Sequence, residues 1–211
     1  MANLNMPKGL SPVGTVTGSD YNQQGRLYAI STADTTNSYA IGDIVSSNIA
    51  GGDTNGVPYV TKYAVGSSVP LGIIVGIRVA DPGVSLQAAN LDLTQTYITA
   101  GTRTAVRYVY VVDDPNVIFE VQADGTGISQ ANIHSNASLT IQTNSSPTGS
   151  SPFSTTVATA ASTTNTLPIR LLGLSQRVVA GGGTVGAYAL VVAKFNIHEF
   201  GVSTGTGYTA T

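Results

Sequence analysis

The sequence predicts an all-β protein: a β-sandwich or β-barrel of short, mostly antiparallel strands, with at most one short helix and an extended N-terminal arm. Runs of β-branched and aromatic residues recur along the 211-residue chain, and about nine or ten of them qualify as strands. Turn-forming residues separate these runs, and the chain contains 24 glycines and 9 prolines. Several runs alternate apolar and polar residues, which is typical of strands with one buried face.

Three segments are expected from the distribution of apolar residues. Residues 1–25 form the extended arm, residues 26–200 form the β-rich domain, and residues 201–211 form a flexible polar tail. Within the domain, residues 145–165 are rich in Ser, Thr and Ala and predict an exposed excursion. A hydrophobic content of 42% is enough for a core in one large or two small domains.

Composition excludes several classes of function. Only 9% of the residues are charged, against about 25% in an average soluble domain. With a net charge of −2 the chain has no basic stripe for a phosphate backbone, so we expect no nucleic-acid partner. The absence of cysteine excludes disulfides, thiolate metal sites and cysteine nucleophiles. We also expect no membrane partner, because no apolar run approaches about 20 residues and the N-terminus lacks a signal-peptide pattern.

The arm contains a few apolar residues among Asn, Gly, Pro, Ser and Thr. Leu4, Met6 and Leu10 are spaced too irregularly for a helix or a buried strand. Either the arm is a frayed terminus, or these three side chains dock on a neighbouring subunit. If they dock, deletion of residues 1–20 should weaken attachment and leave the β-rich domain folded.

The first half of the domain contains four predicted strands. They cover residues 26–30, 41–45, 57–64 and 71–80, and a glycine-rich turn at residues 51–56 follows the second. In the fourth strand, Gly72 and Gly76 indicate a bulge, a bend or a close backbone approach, as barrels require. Residues 86–100 fit neither period and are interpreted as a loop with a short extended piece.

Residues 107–123 form the stretch around which the chain is organised. Two dense β-forming runs meet at Asp113-Asp114-Pro115-Asn116, a turn sequence. This pattern predicts a β-hairpin or two strands joined at a tight corner. In the second run Phe119 and Val121 alternate with Glu120 and Gln122, so the latter two are expected on a wet face.

The second half predicts one short helix and further strands. Residues 128–137 can make one or two helical turns, with Ser129 as the N-cap and Ile133 facing inward. Strands follow around residue 140, at residues 168–174 and at residues 187–200, the last two joined by a glycine-rich loop. The last strand is expected to be buried on both faces in its first half.

The residues that could carry chemistry favour structural roles. Asp113 and Asp114 are adjacent, so as strand residues they would point to opposite faces; turn caps are expected, and a weak calcium site is the alternative. His134 and His198 are the only histidines, and neither has a metal-ligand spacing. No G-x-S-x-G elbow or phosphate-binding loop occurs. We therefore expect a protein without cofactor, metal or catalytic site, which functions by surface contact.

Three segments resemble the head-decoration or cement proteins of tailed bacteriophages. The turn and strand at residues 113–125 are similar to a pattern in such capsid-associated proteins. They continue into a segment of the form I-x-x-x-x-I-x-x-N-A, here residues 128–137. The closing run at residues 190–200 resembles the C-terminal strand of the family.

The resemblance implies a structural virion protein on the outer surface of an assembled head. Its partners would be the major capsid protein and further copies of itself, as a homotrimer, and it would stabilise contacts between coat subunits. Flexible polar ends suit this role, since they can add strands to exposed sheet edges on a partner.

Two other functions are compatible with the sequence. A tail, baseplate or fibre component of a virion would share Gly/Thr/Ser-rich strands, although no internal repeat is found. A carbohydrate-binding β-sandwich would need an aromatic platform beside carboxylates. Tyr108 and Tyr110 precede Asp113 on one strand, but packing in the core or between subunits is the simpler interpretation.

Overall fold

The computed structural model describes residues 3–22, 24–78, 97–141, 153–177 and 183–201. Within these ranges the chain forms strands, joined by turns and a single 3-10 turn at Gln130–Asn132. The strands are β1 (Ser11–Thr15), β2 (Arg26–Ile30), β3 (Tyr39–Ala40), β4 (Ile44–Gly52), β5 (Pro58–Lys62), β6 (Gly72–Arg78), β7 (Tyr97–Ile98), β8 (Arg107–Val112), β9 (Val117–Gln122), β10 (Asn136–Thr140), β11 (Val157–Ser162), β12 (Ile169–Leu174) and β13 (Leu190–Phe195). The predicted all-β class is confirmed.

Five strands close into a small barrel in the order β2-β5-β4-β6-β8. The β2–β5 pair is parallel, and the other pairs are antiparallel. The barrel core consists of β-branched and aromatic side chains that strands favour, among them Val45, Val60, Ile74, Val109 and Val111. Strands β3 and β7 form a separate two-stranded sheet.

The remaining six strands form one antiparallel sheet in the order β1-β9-β13-β12-β10-β11. Its buried face carries Phe119 and Phe195, whose ring centroids lie 4.9 Å apart. Ile44, Tyr63 and Ile73 come from the barrel segment of the chain and belong to the same apolar cluster. The barrel and the sheet therefore pack against each other through a shared core.

Residues 107–123 form a corner between the two sheets. Strand β8 pairs with β2 and β6 in the barrel, whereas β9 pairs with β1 and β13 in the other sheet. The Asn116 N–H donates to Asp114 Oδ1 (2.8 Å), so Asp114 has the expected role of a turn cap. The chain thus passes from barrel to sheet at this turn, as the second of the two expected alternatives.

The predicted N-terminal arm contains a strand. Ser11–Thr15 pairs with β9, with a register shift between Pro12 and Gly14. The sequence obscures this strand because Pro12 and Gly14 are poor strand residues, and an edge position with a bulge tolerates both. The segment from residue 10 onward is therefore part of the β-rich body.

The expected wet face of β9 is covered. Glu120 and Gln122 are only 5% and 6% exposed. Arg177 Nη1 contacts Glu120 Oε2 at 2.8 Å, and the backbone at Leu4 and Met6 contacts Gln122. The apolar and polar residues of β9 alternate between its two faces as predicted. Polar groups from distant parts of the chain cover the polar face.

The described part of the predicted excursion at residues 145–165 contributes a strand to the six-stranded sheet. Residues 142–152 lie outside the described residues, as does all of the predicted tail except Gly201. Val157–Ser162 forms β11, and Phe153 makes a parallel bridge with Ile41. Small side chains such as Ala158, which is fully buried, fit this position and gave no hydrophobic signal in the sequence.

The glycines of β6 have the expected roles. The register against β8 shifts between Ile74 and Gly76, and a Cβ on Gly72 would lie 2.2 Å from the Val112 carbonyl oxygen. The helical prediction reduces to the 3-10 turn, in which Ser129 is the N-cap residue; its N–H and its hydroxyl both donate to Asn132 Oδ1 (2.8 and 2.7 Å). Ile128 is the buried residue here (1% exposed), whereas Ile133 is only partly buried.

Candidate functional site

A cleft of about 830 Å³ opens where the β1–β2 connection faces barrel strands β6 and β8. The connection folds back on β1 through the Thr15 N–H, which donates to the Ser19 carbonyl (2.9 Å), and through a bridge between Gly14 and Asp20. This fold brings Asp20 and Tyr21 to one wall of the cleft. The cleft is not predictable from the sequence, because its walls come from elements far apart in the chain.

Tyr110 forms the aromatic part of the opposite wall. Its neighbours Val109 and Val111 point into the barrel core, so strand alternation turns Tyr110 outward, where it is 39% exposed. The β6 residue opposite is Gly76, where an added Cβ would lie 3.4 Å from the tyrosine ring. The glycine therefore leaves the ring face uncovered.

Asp113 joins the cleft to the barrel. The Tyr28 hydroxyl donates to Asp113 Oδ2 (2.7 Å), and Arg26 Nη1 lies 3.3 Å from the same oxygen. Burial, and next the hydrogen bond to the Asp113 carboxylate, raise the pKa of Tyr28, so Tyr28 stays a donor. Asp113 therefore binds the side chains of Tyr28 and Arg26 instead of capping the backbone of the turn as predicted. Its neighbour Asp114 is the turn cap.

The lining of the cleft offers many hydrogen-bonding groups, and its carboxylates outnumber its one guanidinium. Two tyrosines, Tyr21 and Tyr110, stand among carboxylates, amides and one guanidinium. Within the described ranges no group of three or more His, Asp or Glu side chains could hold a metal ion. The Tyr21 hydroxyl donates to the Gln24 carbonyl (2.8 Å), and burial raises the pKa of Tyr21. Tyr108, the other tyrosine considered in the sequence, is buried and donates to Asp53 Oδ2 (2.5 Å).

The two histidines lie apart from this cleft. His134 is exposed with a φ of 68°. His198 is 4% exposed, and its ring centroid lies 5.2 Å from that of Phe195 and 6.1 Å from that of Phe200. Its Nδ1 accepts the Phe200 N–H (3.0 Å), and burial lowers its pKa. Both positions are consistent with structural roles.

The three predicted interface residues divide into two groups. Leu10 is 1% exposed and belongs to the core of its own chain, because it directly precedes β1, which is paired in the sheet. Leu4 and Met6 are 55% and 58% exposed. Gln122 holds the backbone between them: its Nε2 donates to the Leu4 carbonyl (2.7 Å) and its Oε1 accepts the Met6 N–H (3.0 Å). The segment thus presents two apolar side chains outward from a fixed backbone.

No protein-family model, curated protein or solved structure matches the chain. In the part of the chain that the structure describes, no helix is long and apolar enough to cross a membrane.

Proposed function

We propose that this chain is a structural virion protein that binds the outer surface of an assembled bacteriophage head and stabilises contacts between coat subunits. The observation that carries the proposal is the anchored N-terminal segment with Leu4 and Met6 exposed. An apolar pair on a fixed backbone loses little conformational entropy on docking, so more of its burial contributes to affinity.

The arrangement of the resembling segments also supports the proposal. The runs at residues 113–125 and 190–200 contain β9 and β13, the second and third strands of the six-stranded sheet, which pair along five residues. The run at residues 128–137 leads into β10 of the same sheet. Segments that resemble one family thus lie in one structural unit.

A low-charge surface suits attachment at many copies. With 9% charged residues, docking requires little desolvation of ionic groups, and hydroxyl and amide side chains supply hydrogen bonds. On a lattice with many equivalent positions, contacts that are weak singly add through avidity when the protein is a homotrimer.

Reconstitution on heads that lack the protein tests the proposal. We expect the wild-type chain to bind such heads, and Leu4→Ser/Met6→Ser to bind about tenfold more weakly, a loss of about 1.4 kcal/mol. The substitution removes the side chains and keeps the backbone contacts with Gln122. A matched variant, Val16→Ser/Val65→Ser, removes two other exposed apolar side chains and should bind like the wild type.

Electron microscopy and mass measurement complete the experiment. Density on the head at contacts between capsomers and a trimeric mass in solution are the expected results. Density on the tail or baseplate would replace the head assignment by the alternative virion location. Equal binding of both double variants would contradict the role of the N-terminal segment.

A second candidate function, saccharide binding, is favoured by the cleft. Tyr21 and Tyr110 share the cleft with Asp20 and Asp113, which is the combination of aromatic faces and hydrogen-bonding groups that sugar sites use. A glycan array with the wild-type chain is the test. We expect Tyr110→Ala to weaken any specific binding about tenfold, whereas Tyr59→Ala, outside the cleft, should leave it unchanged; absence of binding on the array would exclude this function.

A further inference from the structure

The barrel contains a lysine and an aspartate in direct contact and closed to solvent. Lys62 lies at the end of β5, and Asp43 immediately precedes β4, the neighbouring strand. Lys62 Nζ is 2.5 Å from Asp43 Oδ2, and the two side chains are 3% and 0% exposed. Lys62 Nζ also donates to the Ser38 carbonyl (2.8 Å).

Both oxygens of the aspartate are held by further donors. The Ala40 N–H donates to Oδ2 (2.8 Å), and the Ser154 hydroxyl donates to Oδ1 (2.5 Å). Ser154 is fully buried and comes from a distant part of the chain, positioned by the hydrogen bond of its N–H with the Ile41 carbonyl (2.7 Å). The Asp43 carboxyl group is therefore fixed in one orientation against the lysine.

Burial disfavours charge on either partner and outweighs the opposing effect of their ion pair and hydrogen bonds. Burial raises the pKa of the Asp43 carboxyl and lowers the pKa of the Lys62 amine. Transfer of one proton from Nζ to Oδ2 across their contact gives a neutral amine beside a neutral carboxylic acid. These two groups are the reactants of amide formation. Because they are already held in contact, the reaction avoids the loss of entropy that a bimolecular reaction incurs.

We propose that Lys62 and Asp43 become joined by an intramolecular amide bond between Nζ and Cγ. The lone pair of the neutral amine attacks Cγ and forms the C–N bond, while the negative charge that develops on Oδ1 is stabilised by the Ser154 hydroxyl. A proton moves from nitrogen to Oδ2, the Cγ–Oδ2 bond breaks, and Oδ2 leaves as water. One amine and one acid give one amide and one water, and no oxidant or activating reagent is required.

The product retains most of the hydrogen bonds of this site. The amide keeps one N–H, which can still donate to the Ser38 carbonyl, and its oxygen keeps the Ser154 hydroxyl as a donor. The Ala40 N–H loses Oδ2 as its acceptor. Both side chains are closed to solvent, so once the released water has left the site, hydrolysis of the amide lacks the water that it requires and the bond persists.

The intact mass of the purified chain tests the proposal. We expect a mass lower than that of the unmodified sequence by one water. Digestion of the denatured chain with trypsin locates the bond, since trypsin cleaves after an unmodified lysine. The linked chain should give one peptide of residues 27–78, lighter by one water, in place of the separate peptides 27–62 and 63–78.

The Lys62→Arg variant is the control. Its guanidinium cannot form the amide, so its intact mass should equal that of its unmodified sequence. A loss of water that persists in this variant would derive from another reaction, such as cyclisation at Asp124-Gly125, and would overturn the assignment. An unshifted wild-type mass with cleavage after Lys62 would overturn it directly, and this result does not depend on how well the variant folds.

Discussion

His198 links a single buried ring to the pH dependence of stability. Burial lowers its pKa below the ordinary value of 6.5 in the folded chain. On acidification the unfolded chain therefore takes up this proton first, so stability is full above about pH 6.5 and decreases as the pH falls toward the folded-state pKa. Each unit by which the pKa is lowered corresponds to about 1.4 kcal/mol of lost stability.

We expect the Tm of the wild-type chain to fall between about pH 7.5 and pH 5.5, and to fall less in His198→Asn. Asparagine can still accept the Phe200 N–H through its side-chain oxygen, so the variant removes the titration and keeps the acceptor. His134→Asn is the matched control, because His134 is exposed, and its pH profile should follow the wild type. Equal pH profiles for all three proteins would assign the acid sensitivity to other groups.

The burial of Lys62 against Asp43 is difficult to infer from the sequence. The role of Lys62 is not evident from the sequence, because a lysine at a strand end is usually solvated. Alternation along β5 contained the relevant signal: Lys62 is two residues from Val60, which is fully buried, and so shares its face. Its partner Asp43 could not be inferred, since no pattern in the sequence specifies a pairing between the ends of two strands.

Individual elements were predictable where the hydrophobic signal was dense. Strands β8 and β9 and the turn between them follow from their Val, Ile and Phe content. In β13 the side chains of Val191, Ala193 and Phe195 are buried as expected, but the prediction of burial on both faces is wrong, because Leu190 and Val192 are only partly buried. Strands β1 and β11 were not predicted because they consist of small or unfavourable residues. They form strands because they pair with β9 and β10, and this tertiary effect overrides their low local propensity.

The two parts of the N-terminal segment differ in their expected contributions to stability. Deletion of residues 1–7 removes the exposed Leu4 and Met6, their backbone contacts with Gln122 and the hydrogen bonds of Asn3 with Thr184 and Ala187, and should lower the free energy of unfolding by only about 1–2 kcal/mol. Deletion of residues 1–20 also removes β1 and the buried Leu10, and should cost at least about 3 kcal/mol. This corrects the expectation that the longer deletion leaves the domain intact.

Urea unfolding of the two truncated chains checks this prediction, and the shorter deletion is the suitable one for binding experiments on heads. The Leu10→Ala variant of the full chain serves as a control, because it creates the cavity without removing the strand. If both truncations unfold at the wild-type urea concentration, β1 contributes nothing to the sheet in solution.

At the scale of the whole molecule, the sequence predicted the class but not the arrangement. The division into a five-stranded barrel and a six-stranded sheet depends on which strands pair across long sequence separations. The cleft follows from the same arrangement, because Tyr21 and Tyr110 are brought together only when the β1–β2 connection folds over β6 and β8. Of the two tyrosines that the sequence places near Asp113, Tyr108 and Tyr110, only Tyr110 lines the cleft with it.

The closed barrel and the open sheet differ in what they offer to identical neighbours. The strand order of the barrel closes on itself and so has no edge strand, whereas the described sheet ends in β1 and β11. Each of these outer strands has an interrupted ladder, at Pro12/Gly14 in β1 and opposite Ala137/Ser138 in β11. Irregular outer strands are poor templates for self-polymerisation. A molecule built this way can reach high local concentration without growing into fibres through its sheet edges.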